Sequence, residues 1–347
     1  MNLYDTFDAD VPTIVLAEGE FDTAGGKTAR GVVLHSELFD ARAVVDSTLA
    51  GSAVGEVLDC EGVVDVPVVA TVEDALDHCP EAEALVIGVS PAGGELPAAW
   101  EAEIRTAMKA GCDVVSGLHE FLGEQPEWSE FADTWGVEIV DVRKPPSESD
   151  LRVGDGRAAD ADADVVVTMG TDCAVGKRTT TFELYRAARD AGIDAGWVAT
   201  GQTGLMVGAQ RGLVVDRVPA DFTAGAVEDL VTAVAEDHDL VFVEGQASLT
   251  HRAYAGVTLA VLHGSDADAV VMVDDPDREE RTHFDRLTVA GVEAERRAIE
   301  AVSDSQVVAL STWGDPAVEG DRHGLPAANV YHSEGASDLL DSVLEAL

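Results

Sequence analysis

The chain reads as an α/β protein with an amino-terminal Rossmann-like domain followed by a P-loop NTPase-like parallel-sheet domain. Three observations predict this. Its 347 residues exceed the size at which a single hydrophobic core usually stops growing, so two domains are expected. Short apolar runs alternate with amphipathic stretches in both halves, the pattern of parallel strands joined by helical crossovers. The second half opens on GxxxxGK, the phosphate-binding spacing, set between an apolar run and a helical one.

In chain order, TIVLAEG, GVVLHS and ARAVVDS read as strands. VPVVATVEDALDHC leads from an extended run into a short helix, EALVIGVSP is a buried strand, and LPAAWEAEIRTAMKAG has helical spacing with a glycine stop. CDVVSGLHEFL, the helical PEWSEFADTWG and the strand VEIVDVR complete a first domain over residues 1–145. None of these strands is followed by GxGxxG, so nothing there asks for a dinucleotide. Residues 146–163 fall in a stretch rich in Pro, Gly, Ser and acid that reads as a linker.

Alternation restarts over residues 164–347. Strands are expected at 164–169, 195–200, 213–218, 240–244, 269–273, 306–310 and 329–331, and helices at 177–191, 224–236, 292–302 and 336–344. The charged stretch DPDREERTHFDR reads as a solvated helical face.

Charge is the outlying property: 66 acidic residues stand against 22 basic ones, for a formal net charge of -44. Such a surface repels nucleic acid and anionic membranes, and both are excluded as partners. The acid is spread along the chain beside 46% apolar residues, which argues against disorder. It fits a cytoplasm of high salt, where the Debye length falls to about 3 Å at 1 M, so the charge reports a halophilic habitat. Cys60, Cys79, Cys112 and Cys173 form no CxxC pair, and neither a disulfide framework nor a zinc site is expected. MNLYDTFDADVP lacks the apolar core of a signal peptide, and no apolar run approaches a membrane span, so a cytoplasmic location is expected. The expected partners are a small-molecule substrate and, at most, further copies of this chain in a homo-oligomer.

Chance does not explain the motif in VVVTMGTDCAVGKRTTTFEL: random placement of 33 glycines and 4 lysines along 347 residues yields about 0.04 matches. The cofactor-binding loop is therefore assigned to Gly170, Thr171, Asp172, Cys173, Ala174, Val175, Gly176, Lys177, Arg178 and Thr179. Its amides and the helix dipole face an anion, Lys177 adds a point charge, and Thr179 reaches a more internal phosphate. Arg178 stands where nucleotide-hydrolysing loops carry the Ser or Thr that binds magnesium. Either other groups hold the metal, or the ligand's phosphates are not transferred.

GTDCAVGKRTT, ATGQTGLMVGAQRG, ADFTAGAVEDLV and VEGQASLTHRAYAGVTLAVLHG, with ALVIGVSPAGG and VVSGLHEFL, resemble a two-domain family long described as a domain of unknown function. Some of its members are D-glutamate N-acetyltransferases, which move an acetyl group from acetyl-CoA to D-glutamate. The similarity covers nearly the whole chain and implies a Rossmann-like domain followed by a P-loop domain. GTDCAVGK with VEGQ is also similar, more distantly, to dethiobiotin synthetase, an ATP-dependent P-loop enzyme.

Further candidates cluster after the expected strands. Glu244 ends LVFVEG, where a carboxylate acts as base or binds a cation or water. His251 is a candidate base, as is Asp221, whose plain alternative role is a helix cap. Thr200, Gly201, Gln202, Thr203, Gln246, Ser248, Arg252 and His263 are assigned to substrate. Cys173 raises the idea of a nucleophile but has no base assigned to it. No residue is assigned to a metal. Three functions follow: an acetyl-CoA-dependent N-acetyltransferase acting on an acidic amino acid, an ATP- and Mg-dependent ligase or kinase, and a non-enzymatic nucleotide or CoA sensor.

Overall fold

The structure is a computed structural model that describes residues 1–59, 66–89, 96–282, 284–332 and 334–347. Cys60 and the end of the ALVIGVSPAGG block lie outside the described residues. The chain forms two units, residues 1–145 with 202–208, and residues 146–201 with 209–347.

The first unit is built on six parallel strands, β1 (Val11–Leu16), β2 (Phe39–Val45), β3 (Val68–Val69), β4 (Ala84–Ile87), β5 (Asp113–Ser116) and β6 (Ile139–Asp141). Their order, β3-β2-β1-β4-β5-β6, is that of a doubly wound sheet. Its helices are α1 (Lys27–His35), α2 (Val54–Leu58), α3 (Val72–His78), α4 (Ala98–Lys109) and α5 (Pro126–Trp135). Covering both faces buries the central strands, which is why TIVL and ALVI are continuous apolar runs. GVVLHS, expected as a strand, is instead the second half of α1. Thr28, Ala29 and Val32 form its buried stripe, and a short apolar run alone does not separate helix from strand.

The second unit contains β7 (Asp164–Gly170), α6 (Lys177–Asp190) and β8 (Ala195–Ala199). After α7 (Gln202–Val207), which belongs to the first unit, come β9 (Arg211–Gly212), α8 (Ala220–Ala235), β10 (Leu240–Val243), α9 (Ala255–Ser265) and β11 (Ala269–Asp274). A hairpin of β12 (Glu280–Arg281) and β13 (Phe284–Thr288) precedes α10 (Val292–Val302), β14 (Gln306–Thr312), α11 (Pro316–His323), β15 (Ala327–Ala328) and α12 (Gly335–Leu344). The parallel order β15-β14-β11-β7-β10-β8-β9 puts β7 at the centre, between β11 and β10. Val165, Val167, Val241, Val243, Val270 and Met272 form the middle of its core.

Three expectations are corrected here. The 213–218 stretch is not a strand: the paired segment is only β9, and Val215–Arg217 is a 3-10 turn whose first amide bonds Thr200 O. The 329–331 stretch lies beyond the short β15, and Tyr331 N closes a turn on Asn329 Oδ1 at 3.0 Å. DPDREERTHFDR is no solvated helix, since it carries β12 and the start of β13. The linker-like stretch before β7 is tied to α8: the buried Glu228 carboxylate accepts the amides of Asp155, Gly156 and Arg157 at 3.1, 2.6 and 2.8 Å.

Candidate functional site

Between the end of β7 at Gly170 and the start of α6 at Lys177, residues 171–176 wrap the amino end of a 14-residue helix. Gly176, at φ 103°, takes a conformation that side chains resist. Ala174 sits at φ 54° without that freedom, a strained position of the kind that functional loops hold. Thr168 and Thr181 join strand to helix through a 2.7 Å hydroxyl contact, and Thr181 Oγ1 donates to Lys177 O at 2.8 Å. Lys177 is buried and its Nζ donates to Asp172 O at 2.6 Å. Burial pushes the ammonium down to about 8, against the opposing pull of Cys173, Asp172, Glu295 and Glu244.

The β12–β13 hairpin braces this loop. Arg281, 3% exposed, donates through Nη1 to Thr171 O at 2.8 Å and to Ser248 Oγ at 2.7 Å, and approaches Asp172 Oδ1 at 3.3 Å. Its Nη2 donates to Thr250 Oγ1 at 2.7 Å. Arg278 Nη1 donates to Cys173 O at 2.7 Å, and Thr282 N to Asp172 Oδ2 at 2.9 Å. Burial alone would raise the Asp172 carboxyl, but the amides of Thr282 and Cys173 and the Arg281 guanidinium outweigh it and hold it low. Thr171 Oγ1 donates to Asp274 Oδ1 at 2.6 Å, which ties the loop to β11 as well.

The loop after β10 lies beside it. A side chain at Gly245 would put its Cβ 1.7 Å from Thr168 O, so only glycine fits there. Glu244 is 6% exposed; its Oε2 accepts Thr200 N at 3.3 Å, while Thr200 Oγ1 donates to Glu244 O at 2.7 Å. Gln246 Nε2 donates to Thr200 Oγ1 at 2.9 Å. Glu295, fully buried on α10, accepts the Leu249 and Thr250 amides and so fixes the approach to His251. The buried His251 ring accepts Ala253 N on Nδ1 at 3.2 Å, which leaves the proton of the neutral ring on Nε2. Nε2 has no hydrogen-bond partner among the described residues and lies 3.8 Å from Asp172 Oδ1. Burial, then Arg281, lowers this imidazole, so at neutral pH it presents an N–H donor.

The structure therefore gathers the loop residues through Thr179 with Thr200, Gly201, Glu244, Gln246, Ser248 and His251 at the carboxyl edge of one sheet. Arg252 is exposed immediately after His251. Gln202 and Thr203 open α7 in the first unit, where Thr203 Oγ1 meets Thr28 Oγ1 at 2.7 Å. Asp221 is exposed in the first turn of α8, behind the N-cap Pro219, so the capping role falls away. His263 is exposed near the end of α9, about 12 Å along that helix from Ala255. Sequence reasoning missed Arg278, Arg281, Thr282 and Glu295; for Arg281 and Thr282 the available signal was the β-prone run RTHFDRLTV. Asp172, Cys173 and His251 offer ligand atoms within 4.8 Å of one another. Arg281 and Arg278, at 3.3 and 3.8 Å from that carboxylate, already supply its positive charge, so the cluster does not fit a divalent cation.

Residues 152–339 match a family described as a domain of unknown function, P-loop domain (DUF1611_C), and residues 47–145 match its Rossmann-like counterpart (DUF1611_N). The chain belongs to the DUF1611 family. A crystal structure of a DUF1611 family protein from Anabaena variabilis has a TM-score of 0.87 and 31% identity, and covers 97% of this chain and 100% of that one. A protein from Tritonibacter scottomollicae named D-glutamate N-acetyltransferase is 34% identical over 279 residues, 76% of this chain and 81% of that protein. One of the same name from Pseudoalteromonas sp is 36% identical over 210 residues, 58% of this chain and 61% of that protein. DUF1611 thus pairs a Rossmann-like domain with a P-loop domain, and relatives of this chain carry an N-acetyltransferase name.

Proposed function

We propose that this protein is an acetyl-CoA-dependent N-acetyltransferase acting on an acidic amino acid of the D-glutamate type, with the phosphate loop anchoring phosphates of the CoA donor. The relatives' names support the reaction. The observation that carries the donor's anchorage is the loop itself, a braced anion cradle with the buried Lys177 ammonium, followed by Arg178 and not by a magnesium-binding hydroxyl.

Transfer requires an unprotonated amine to attack the thioester carbonyl, so that a C–N bond forms as the C–S bond breaks and CoA leaves as its thiol. Glu244, almost fully buried at the end of β10, takes the amine proton. The His251 Nε2–H is a donor for the developing oxyanion, and the exposed Arg252 pairs with an acceptor carboxylate. Thr200, Gly201, Gln246 and Ser248 supply the polar wall around them.

The reading is tested with purified protein, acetyl-CoA, D-glutamate and a metal chelator, following free thiol. Thiol release is expected without metal. In Glu244→Gln, kcat is expected to fall by about 10²-fold or more while the Kd for acetyl-CoA holds. Failure to release thiol with D-glutamate or any other acidic amino acid overturns the reading, and magnesium-dependent ATP turnover in its place assigns the loop to phosphoryl transfer.

A further inference from the structure

Two large aromatic side chains stand in the open beside the phosphate loop. Trp313, which follows β14, is 45% exposed, and Tyr331, in the turn beyond β15, is 54% exposed. Their rings meet edge to face with centroids 5.6 Å apart. Both turn a polar end to the loop: a methyl placed on Gly176 would lie 3.0 Å from Tyr331 Oη and 3.1 Å from Trp313 Nε1. On a chain with 66 acidic residues, leaving two large rings uncovered at one spot, against the last loop residue before Lys177, is a cost that burial of a ligand ring removes.

We infer that Trp313 and Tyr331 form a stacking platform for the adenine of a phosphate-bearing carrier whose phosphates occupy the neighbouring loop. The inference rests on the proposal that the loop holds phosphate, and deepens it by naming the other end of the ligand. A base linked through ribose to a diphosphate spans the short distance from the anion cradle to an adjacent aromatic surface, and stacking needs only a π-face. The platform accordingly binds ADP and GDP alike, and takes the adenine of CoA. Arg178 lies in the same first turn of α6.

Binding of CoA, ADP, GDP and inorganic pyrophosphate to the intact chain is measured by calorimetry for the wild type, Trp313→Ala, Trp313→Phe, Tyr331→Ala and Lys177→Ala. Trp313→Ala and Tyr331→Ala are expected to weaken CoA and both nucleoside diphosphates by about 10-fold or more, and to leave pyrophosphate unchanged. Trp313→Phe, which keeps a ring, is expected to recover most of the loss. Unaltered nucleotide affinity in both alanine variants overturns the platform, as does an equal loss for pyrophosphate, which would make the pair a support for the loop. Pyrophosphate bound as tightly as ADP by the wild type also overturns it while leaving the loop reading intact. Loss in the aromatic variants with none in Lys177→Ala supports the platform and removes the loop as the phosphate anchor.

Discussion

At the scale of single residues, the proposed phosphate anchorage makes Lys177 the group that sets how binding responds to pH. Burial brings its ammonium from 10.5 down to about 8 in the unliganded fold. Below pH 8 the charged form is present in both the folded and unfolded chain, and its full burial cost persists. Between about pH 8 and 10.5 the folded chain alone sheds the proton, so that cost fades, stability rises, and the charge that attracts a phosphate disappears. The affinity for CoA is therefore expected to fall about tenfold per pH unit above pH 8, as calorimetry at a series of pH values will show. Lys177→Arg keeps its charge throughout and is expected to flatten that slope. A flat profile in the wild type would place the phosphate elsewhere. The loop's spacing and its lysine were legible in the sequence because they are contiguous. The donor state of His251 was not, because it depends on one backbone amide, Ala253 N, on burial, and on the nearby Arg281 charge.

At the scale of elements, the β12–β13 hairpin determines whether the loop holds its shape. Arg281 bonds Thr171 O, Ser248 Oγ, Thr250 Oγ1 and Thr288 O, and faces the buried Asp172 carboxylate. Arg281→Ala leaves that carboxylate short of its cation and is expected to cost about 3–5 kcal/mol in denaturant unfolding. Arg278→Ala, at a side chain 19% exposed, is expected to cost less. Equal and small effects from both would show that the hairpin does not brace the loop. Apolar periodicity could not reveal this element, because Arg281 and Arg278 are charged and the loop they brace lies more than 100 positions away in the chain. The same limit explains α7: its amphipathic length is short, and its bonds, from Ser36 Oγ to Met206 O at 3.0 Å and from Glu37 N to Val207 O, are to the first unit. The β7–α6, α8–β10 and α10–β14 alternation was readable because each member buries a face that its own sequence pattern declares.

At the scale of the whole molecule, a net charge of -44 loads the fold with self-repulsion that salt relieves. Raising KCl from about 0.1 M to about 2 M is expected to raise Tm well beyond the effect of an uncharged osmolyte at equal osmolality; a Tm independent of KCl would detach the acidic surface from salt adaptation. No helix among the described residues is long and apolar enough to cross a membrane. The two-sheet plan follows from strand alternation and length. The proposed chemistry draws on the loop and on groups that only the fold assembles around it: Glu244, His251, Arg281 and the Trp313–Tyr331 pair. The central claim is that this loop anchors a CoA carrier without a metal. Its most direct measurement is a calorimetric titration of acetyl-CoA into the wild type and Lys177→Ala, both in molar KCl with a chelator. The account predicts saturable binding by the wild type and a loss of about tenfold or more in the variant. Binding that appears only with magnesium, or that is indifferent to Lys177, would contradict it.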